Sequence, residues 1–201
     1  LPKILYNTQT EALMQAFGEE VYVKKILDLR EFPDSPLADR FTKNFEDIIN
    51  DLEIRVVVEV MGGSSRLILF VKRALQAGKS VSTSNKALVA KHGSELMEIA
   101  KEKNINFLFE ASCGGGIPII RAINGSLTAD EIDEVSGILN GTTNYMLDKM
   151  ITEGADFNTV LKEAQEKGYA EADPTADVEG QDACRKIAHS FLSGIWKIPE
   201  F

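Results

Sequence analysis

Cysteine and histidine are scarce in this chain. Cys113 and Cys184 are its two cysteines and form no C-x-x-C pair, which argues against a disulfide framework or a zinc ribbon. A reducing compartment, the cytoplasm, is the expected setting. His92 and His189 are the two histidines; neither has a neighbour at metal-ligand spacing, so each is read as structural or exposed. No apolar run reaches the roughly 18 residues that span a bilayer, and LPKILYNTQT lacks the run of a signal peptide. Positive charge is also short: 22 Lys and Arg face 31 Asp and Glu, a net charge of -9. Nucleic acid and anionic membranes are therefore repelled as partners. Finally, there is no G-x-G-x-x-G, although the order of elements described next leads one to expect it after a first strand.

What is present is an ordinary globular composition, 44% hydrophobic and 26% charged over 201 residues. Ile4, Leu5, Leu13, Ala16 and Phe17 fit one helix face ended by Gly18, and VYVKKILDL reads as a strand. After a Pro-punctuated loop, NFEDIINDL reads as a short helix. IRVVVEVM is the clearest strand, its apolar run predicting burial on both faces as in a parallel sheet. A helix over RLILFVKRALQAGK, a strand at SVSTSN, a helix over ELMEIAKEKN and a strand at INFLFEA complete the alternation. Beyond Pro118 a helix is expected at IIRAINGSL, a strand at EIDEVSGIL, and helices at TTNYMLDKMITEG, NTVLKEAQEKG and 182–192. The expected fold class is α/β: an incomplete Rossmann-like parallel sheet domain over 1–115, then a truncated α+β substrate and dimerisation region over 116–201.

Several stretches carry possible chemistry. VMGGSS follows a strand and opens a helix, so Gly62 and Gly63 could present backbone N–H groups to an anion, or simply make a tight turn. CGGGIP could bring backbone carbonyls to a ligand or serve as a hinge. Ser84 and Lys86 stand just after a strand end, where open α/β sheets bind ligands. Asn140 or Thr142 fits a helix cap, next to Gly141. In GYAEADPTADVEGQDACRK, Asp182 and Lys186 are four apart and share a helix face. By spacing alone they fit a surface ion pair worth about 0.3–0.5 kcal/mol. The acidic loop ahead of them, with Glu171, Asp173, Asp177 and Glu179, points to a bound cation, which a lysine, a substrate ammonium or a metal could supply.

The segments VVVEVMGG, ALQAGKSVSTSNKALVA, FEASCGGGIPII, GILNGTTNYML and GYAEADPTADVEGQDACRK together resemble the homoserine dehydrogenases, in family order. The resemblance implies NAD(P)-dependent interconversion of L-aspartate 4-semialdehyde and L-homoserine in threonine, methionine and isoleucine biosynthesis, by a homodimer acting on a small amino-acid substrate. It implies Lys186 as proton donor to the aldehyde oxygen and Asp182 as the carboxylate holding substrate and lysine. Glu171 would bind the amino acid end, with Asp177, Thr142 and Gly141 on the substrate side. Lys86, Gly62, Gly63, Ser84 and Gly168 would lie against the NADP or NAD. Glu110, with the carbonyls of Cys113, Gly115 and Ile117, matches the family's sodium site.

The family begins with a strand and glycine-rich phosphate loop and continues beyond the Lys186 helix, so residues 1–201 alone are expected to hold NAD(P) weakly. Asp28 could take a ribose hydroxyl and Arg30 a 2′-phosphate, which points in opposite directions on cofactor choice. Two rivals remain at this level: a non-catalytic fragment or paralogue kept for dimer assembly, and a lyase using Lys186 as a Schiff base. The crowd of carboxylates disfavours the second, because it favours a protonated amine.

Overall fold

The apolar run before Gly62 pairs as a parallel strand, and the helices around it supply the crossovers. The computed structural model describes residues 10–61, 67–127, 129–134 and 136–192. First come α1 (Thr10–Phe17), β1 (Ile26–Leu27), a 3-10 turn (Ala38–Arg40), β2 (Phe41–Thr42) and the short α2 (Glu46–Ile49). Strand and helix then alternate: β3 (Val56–Glu59), α3 (Leu67–Gln76), β4 (Ser80–Thr83), α4 (Lys86–Glu102) and β5 (Phe107–Leu108). The remainder is helical: α5 (Glu110–Cys113), α6 (Ile120–Ser126), α7 (Gly141–Glu153), α8 (Phe157–Glu166), α9 (Thr175–Val178) and α10 (Gln181–Leu192).

Every described strand pair is parallel. β1 lies beside β2, and a separate sheet runs in the order β3-β4-β5, with Val56 opposite Ser80 and Val81 opposite Phe107. Parallel neighbours require a crossover, which α3 and α4 provide. Helix α3 buries Leu67, Val71, Ala74 and Leu75, a spacing that makes one apolar stripe. They pack with Val81, Leu88, Val89, Leu96 and Phe107 into the main core. A second, smaller core gathers Met146, Val160, Ala164 and Ala170 where α7 meets α8. Asp156 starts α8 by accepting the N–H groups of Asn158 (3.0 Å) and Thr159 (3.2 Å).

Four expectations change. VYVKKILDL pairs only at Ile26 and Leu27. β3 is parallel but leaves Val56 and Val58 exposed, because the sheet face they share with Ser82 and Leu108 is open. EIDEVSGIL forms no strand among its described residues: no described strand beside it offers a ladder, and Ile138 is exposed. Helix α4 begins at Lys86, nine residues before ELMEIAKEKN, since Asn85 caps it by accepting from Leu88 N–H (3.1 Å). Ile4 and Leu5 lie outside the described residues.

One buried charge ties the sheet to the loop before it. Lys79 is buried, and its ammonium donates to the carbonyls of Asp51 (2.7 Å) and Ile54 (2.8 Å). Burial lowers its pKa from the usual lysine value, yet both bonds reward the charged form. Lys79→Met keeps the apolar stem and strips the donor. It is expected to cost about 1–3 kcal/mol, read as a lower denaturant midpoint at unchanged slope.

Candidate active site

The acidic stretch resolves into two short helices joined by Gly180. Its φ of +75° is the left-handed backbone that glycine adopts without strain, and it turns the chain from α9 into α10. Asp182 then falls in the first turn of α10, where the helix N-terminus favours a carboxylate, and Lys186 sits one turn on. Helix α10 packs against α4. That contact brings Lys86, the first residue of α4, to Asp182 across 96 positions of sequence.

Asp182 is the hub. Lys86 Nζ lies 2.7 Å from Oδ1, Lys186 Nζ lies 2.7 Å from Oδ2, and Asn140 Nδ2 donates to Oδ2 at 3.0 Å. Lys186 also donates to the Leu139 carbonyl. Asp182 is 7% exposed, so this is no solvated surface pair. Burial acts to raise the Asp182 pKa. The hydrogen bonds from Lys186, Lys86 and Asn140 outweigh it and hold the carboxyl well below the usual range. A cavity of about 550 Å³ opens over the group. Both lysines, Asp177 and Asp182 give it charge, Asn140, Gly141 and Thr142 line the start of α7, and Tyr145 and Tyr169 form an aromatic wall. The two rings meet edge to face at 5.1 Å. Thr142 Oγ1 donates to the Tyr169 carbonyl at 2.7 Å, fixing that wall to α7.

Lys86 is braced from the sheet side. Glu59, buried at the end of β3, accepts from Thr83 Oγ1 (2.6 Å) and from Met61 N–H (2.7 Å). Thr83 Oγ1 in turn accepts from Asn85 N–H (3.0 Å), and Asn85 caps α4. A continuous series of hydrogen bonds thus runs from β3 through β4 to the helix start that bears Lys86. Ser84 is exposed at the same end of β4.

Of the residues singled out in sequence, Lys86, Gly141, Thr142, Asp177, Asp182 and Lys186 line one cavity. Glu171 and Gly168 do not. Glu171 is exposed on the loop after α8. Gly168 has φ +75°, the turn that ends α8, and this conformation explains a glycine there. Both oxygens of Glu110 accept backbone N–H groups at the start of α6, from Ile120 and Arg121, each at 2.8 Å. Cys113 ends α5, and burial raises its thiol pKa. Gly115 has φ +63°, and Ile117 N–H donates to the Gly114 carbonyl at 3.1 Å. Gly62 and Gly63 lie outside the described residues. Sequence reasoning passed over Tyr145, Tyr169, Glu59 and the donor half of Asn140. A lone acid ending an apolar strand was the one available signal for Glu59.

Behind the aromatic wall, Glu163 joins α8 to α7. It accepts from Lys149 (2.9 Å), Lys167 (2.6 Å) and the Tyr145 hydroxyl (2.7 Å). The bonds from Lys149, Lys167 and Tyr145 pull its pKa down to about 2. A lowered folded pKa contributes stability above the unfolded value of about 4.3 and loses it as pH falls toward the folded one. The stability difference between wild type and Glu163→Gln is therefore expected to be constant above about pH 5 and to vanish in strong acid, as followed by urea unfolding.

Two family models match the chain: residues 7–110 fit the homoserine dehydrogenase NAD binding domain, and residues 118–191 fit homoserine dehydrogenase. The homoserine dehydrogenase of Bacillus subtilis (strain 168) is 46% identical over 189 residues, 92% of this chain and 43% of its own length. That of Corynebacterium glutamicum is 41% identical over 192 residues, 90% of this chain and 43% of its own. Among solved structures, a homoserine dehydrogenase from Thiobacillus denitrificans superposes with a TM-score of 0.77 at 40% identity, over 94% of this chain and 47% of its own. A hyperthermophilic archaeal homoserine dehydrogenase, solved in complex with NADPH, gives 0.67 at 27% identity, over 92% and 54%. The chain spans under half the length of these two curated relatives. With a parallel sheet, a matching NAD binding domain and a lysine–aspartate–lysine group at the sheet's mouth, the chain belongs to the homoserine dehydrogenase family.

Proposed function

We propose that the protein interconverts L-aspartate 4-semialdehyde and L-homoserine with NAD(P)H, as a cytoplasmic homodimer in threonine, methionine and isoleucine biosynthesis. The observation that carries this is Asp182, one buried carboxylate shared by two lysines at the wall of an open cavity. The nicotinamide, when bound, supplies or accepts the hydride. The residues fit such a group: the C-terminal ends of β3 and β4 and the start of α4 share one edge, where open parallel sheets take ligands. Lys86, Ser84, Gly62, Gly63 and Gly168 are assigned to that side. At the end of β1 a further cavity of about 290 Å³ is lined by Asp28, Arg30, Phe32 and Phe41, suited to an adenosine. There Asp28 and Arg30 are each other's partners, at 2.8 and 3.0 Å, and the Arg30 hydrogen bonds pull the Asp28 pKa down to about 2.

Charge develops on the aldehyde oxygen as its carbon is reduced. The Lys186 ammonium stabilises that charge and donates a proton to the oxygen, and takes it back in the reverse direction. Asp182 holds and aims Lys186 at 2.7 Å, while Thr142, Gly141 and Asp177 orient the substrate. Glu171 is assigned to the amino acid end, from a loop adjoining the cavity. Sodium at Glu110, Cys113, Gly115 and Ile117 has less support, because both Glu110 oxygens are engaged by helix α6. The division between the two regions is placed near residue 115.

The test is NADPH oxidation driven by aspartate semialdehyde, alongside NADPH titration. Semialdehyde-dependent turnover is expected. Absence of semialdehyde-dependent turnover even at high NADPH would instead support the rival reading, a chain kept for assembly, and tight NADPH binding would overturn the expectation of weak cofactor binding. Borohydride with substrate is expected to leave Lys186 unlabelled; a labelled lysine would favour a Schiff-base lyase.

A further inference from the structure

Asn140 precedes α7 and uses its whole side chain. Its Oδ1 accepts from Thr143 N–H (2.8 Å) and Thr143 Oγ1 (2.9 Å), capping the helix. Its Nδ2 donates one hydrogen to Asp177 Oδ1 (2.7 Å) and the other to Asp182 Oδ2 (3.0 Å). These partners fix the amide's orientation, because a reversed amide would set nitrogen against an N–H and oxygen against two carboxylates. Several residues cap helices equally well, Asp and Ser among them. Asp would add a third carboxylate to Asp177 and Asp182. Ser has one hydrogen to give, on a shorter arm. Of the good caps, Asn alone starts α7 and also links α9 to α10.

We propose that Asn140 is a positioning residue: its amide separates and aims the Asp177 and Asp182 carboxylates, and so sets where Asp182 holds Lys86 and Lys186. What enters the cavity rests on the function proposed above, whereas the linking role does not. Tyr145 and Tyr169 are the other titratable side chains on the cavity wall.

The decisive comparison is Asn140→Asp with Asn140→Ala. Asn140→Asp preserves the cap and loses both donors, while a proton taken up by the three carboxylates at low pH restores one. In protein with 13C-labelled aspartate carboxyls, the group to follow is the introduced carboxyl together with Asp177 and Asp182. Asn140→Asp is expected to raise one titration of that group by about one unit or more above the normal aspartate range. Homoserine binding should weaken about tenfold or more at neutral pH in both variants, and recover in mildly acidic solution only in Asn140→Asp. If Asn140 only caps, Asn140→Asp will match wild type at every pH and Asn140→Ala alone will suffer, which overturns the proposal. Unshifted carboxyl titrations overturn it as well. A variant that unfolds at neutral pH and refolds in mild acid supports it; one unfolded at both counts against it. If wild type fails to bind homoserine, the function proposed above falls, and the carboxyl titrations still decide the role of Asn140.

Discussion

Under the proposed function, Lys186→Met is expected to lower turnover in aspartate semialdehyde reduction by about a thousandfold, the middle of the range for loss of a positioned general acid. Methionine keeps most of the side chain's apolar stem, so α10 should still pack on α4. What disappears is the proton source within reach of the cavity, together with the bonds to Asp182 and the Leu139 carbonyl. Substrate affinity should change far less than turnover, since the charge that Lys186 meets develops on the oxygen during the reaction. Steady-state kinetics separates the two. A variant that loses affinity while keeping turnover would make Lys186 a binding residue and move the acid role to Lys86.

Asp182→Asn is expected to damage both stability and activity. The neutral amide leaves two ammonium groups facing each other without the carboxylate that neutralises them. Losing one partner of a buried pair costs about 3–5 kcal/mol, and the lower end applies because Lys86 is partly open to solvent. The pH dependence has a definite sign. Asp182 has a depressed folded pKa, so its contribution is fully present above the unfolded aspartate value of about 3.9 and is lost as pH falls through the folded one. The wild-type advantage over Asp182→Asn should thus hold down to about pH 4 and shrink below it, as measured by denaturant unfolding. An advantage that disappears near neutrality would mean Asp182 is not held ionised by the lysines. Catalysis should fall by about a hundredfold or more, because an unbraced lysine is misaimed.

Much of the sheet was legible because its signals are local. IRVVVEVM, SVSTSN and the helix between them carry their period in a short window, whereas the start of α4 after Asn85 went unread. EIDEVSGIL shows the limit: alternation alone does not make a strand when no neighbour offers a ladder. At the site, i,i+4 spacing placed Asp182 beside Lys186, but could not separate a solvated pair from a buried one. That difference depends on α10 lying against α4, a contact between residues far apart in sequence. The family resemblance named Asp177 and Thr142 for the substrate and Lys86 for the cofactor, and all three line this cavity. It also named Glu171, which here stays on the outer loop. Tyr145 and Tyr169 carried no signal, since aromatic residues at such spacing more often serve a core.

The 96-residue separation between Lys86 and Asp182 has a bearing on folding order. Local helices and the two cores can form without that contact, whereas the contact itself closes a long loop late and against chain entropy. The charged cluster should therefore be among the last parts to form and the first to open. Amide protons in the first turn of α10 are expected to exchange faster than those of buried α4 residues such as Val89 and Leu96, by local opening that leaves the sheet intact.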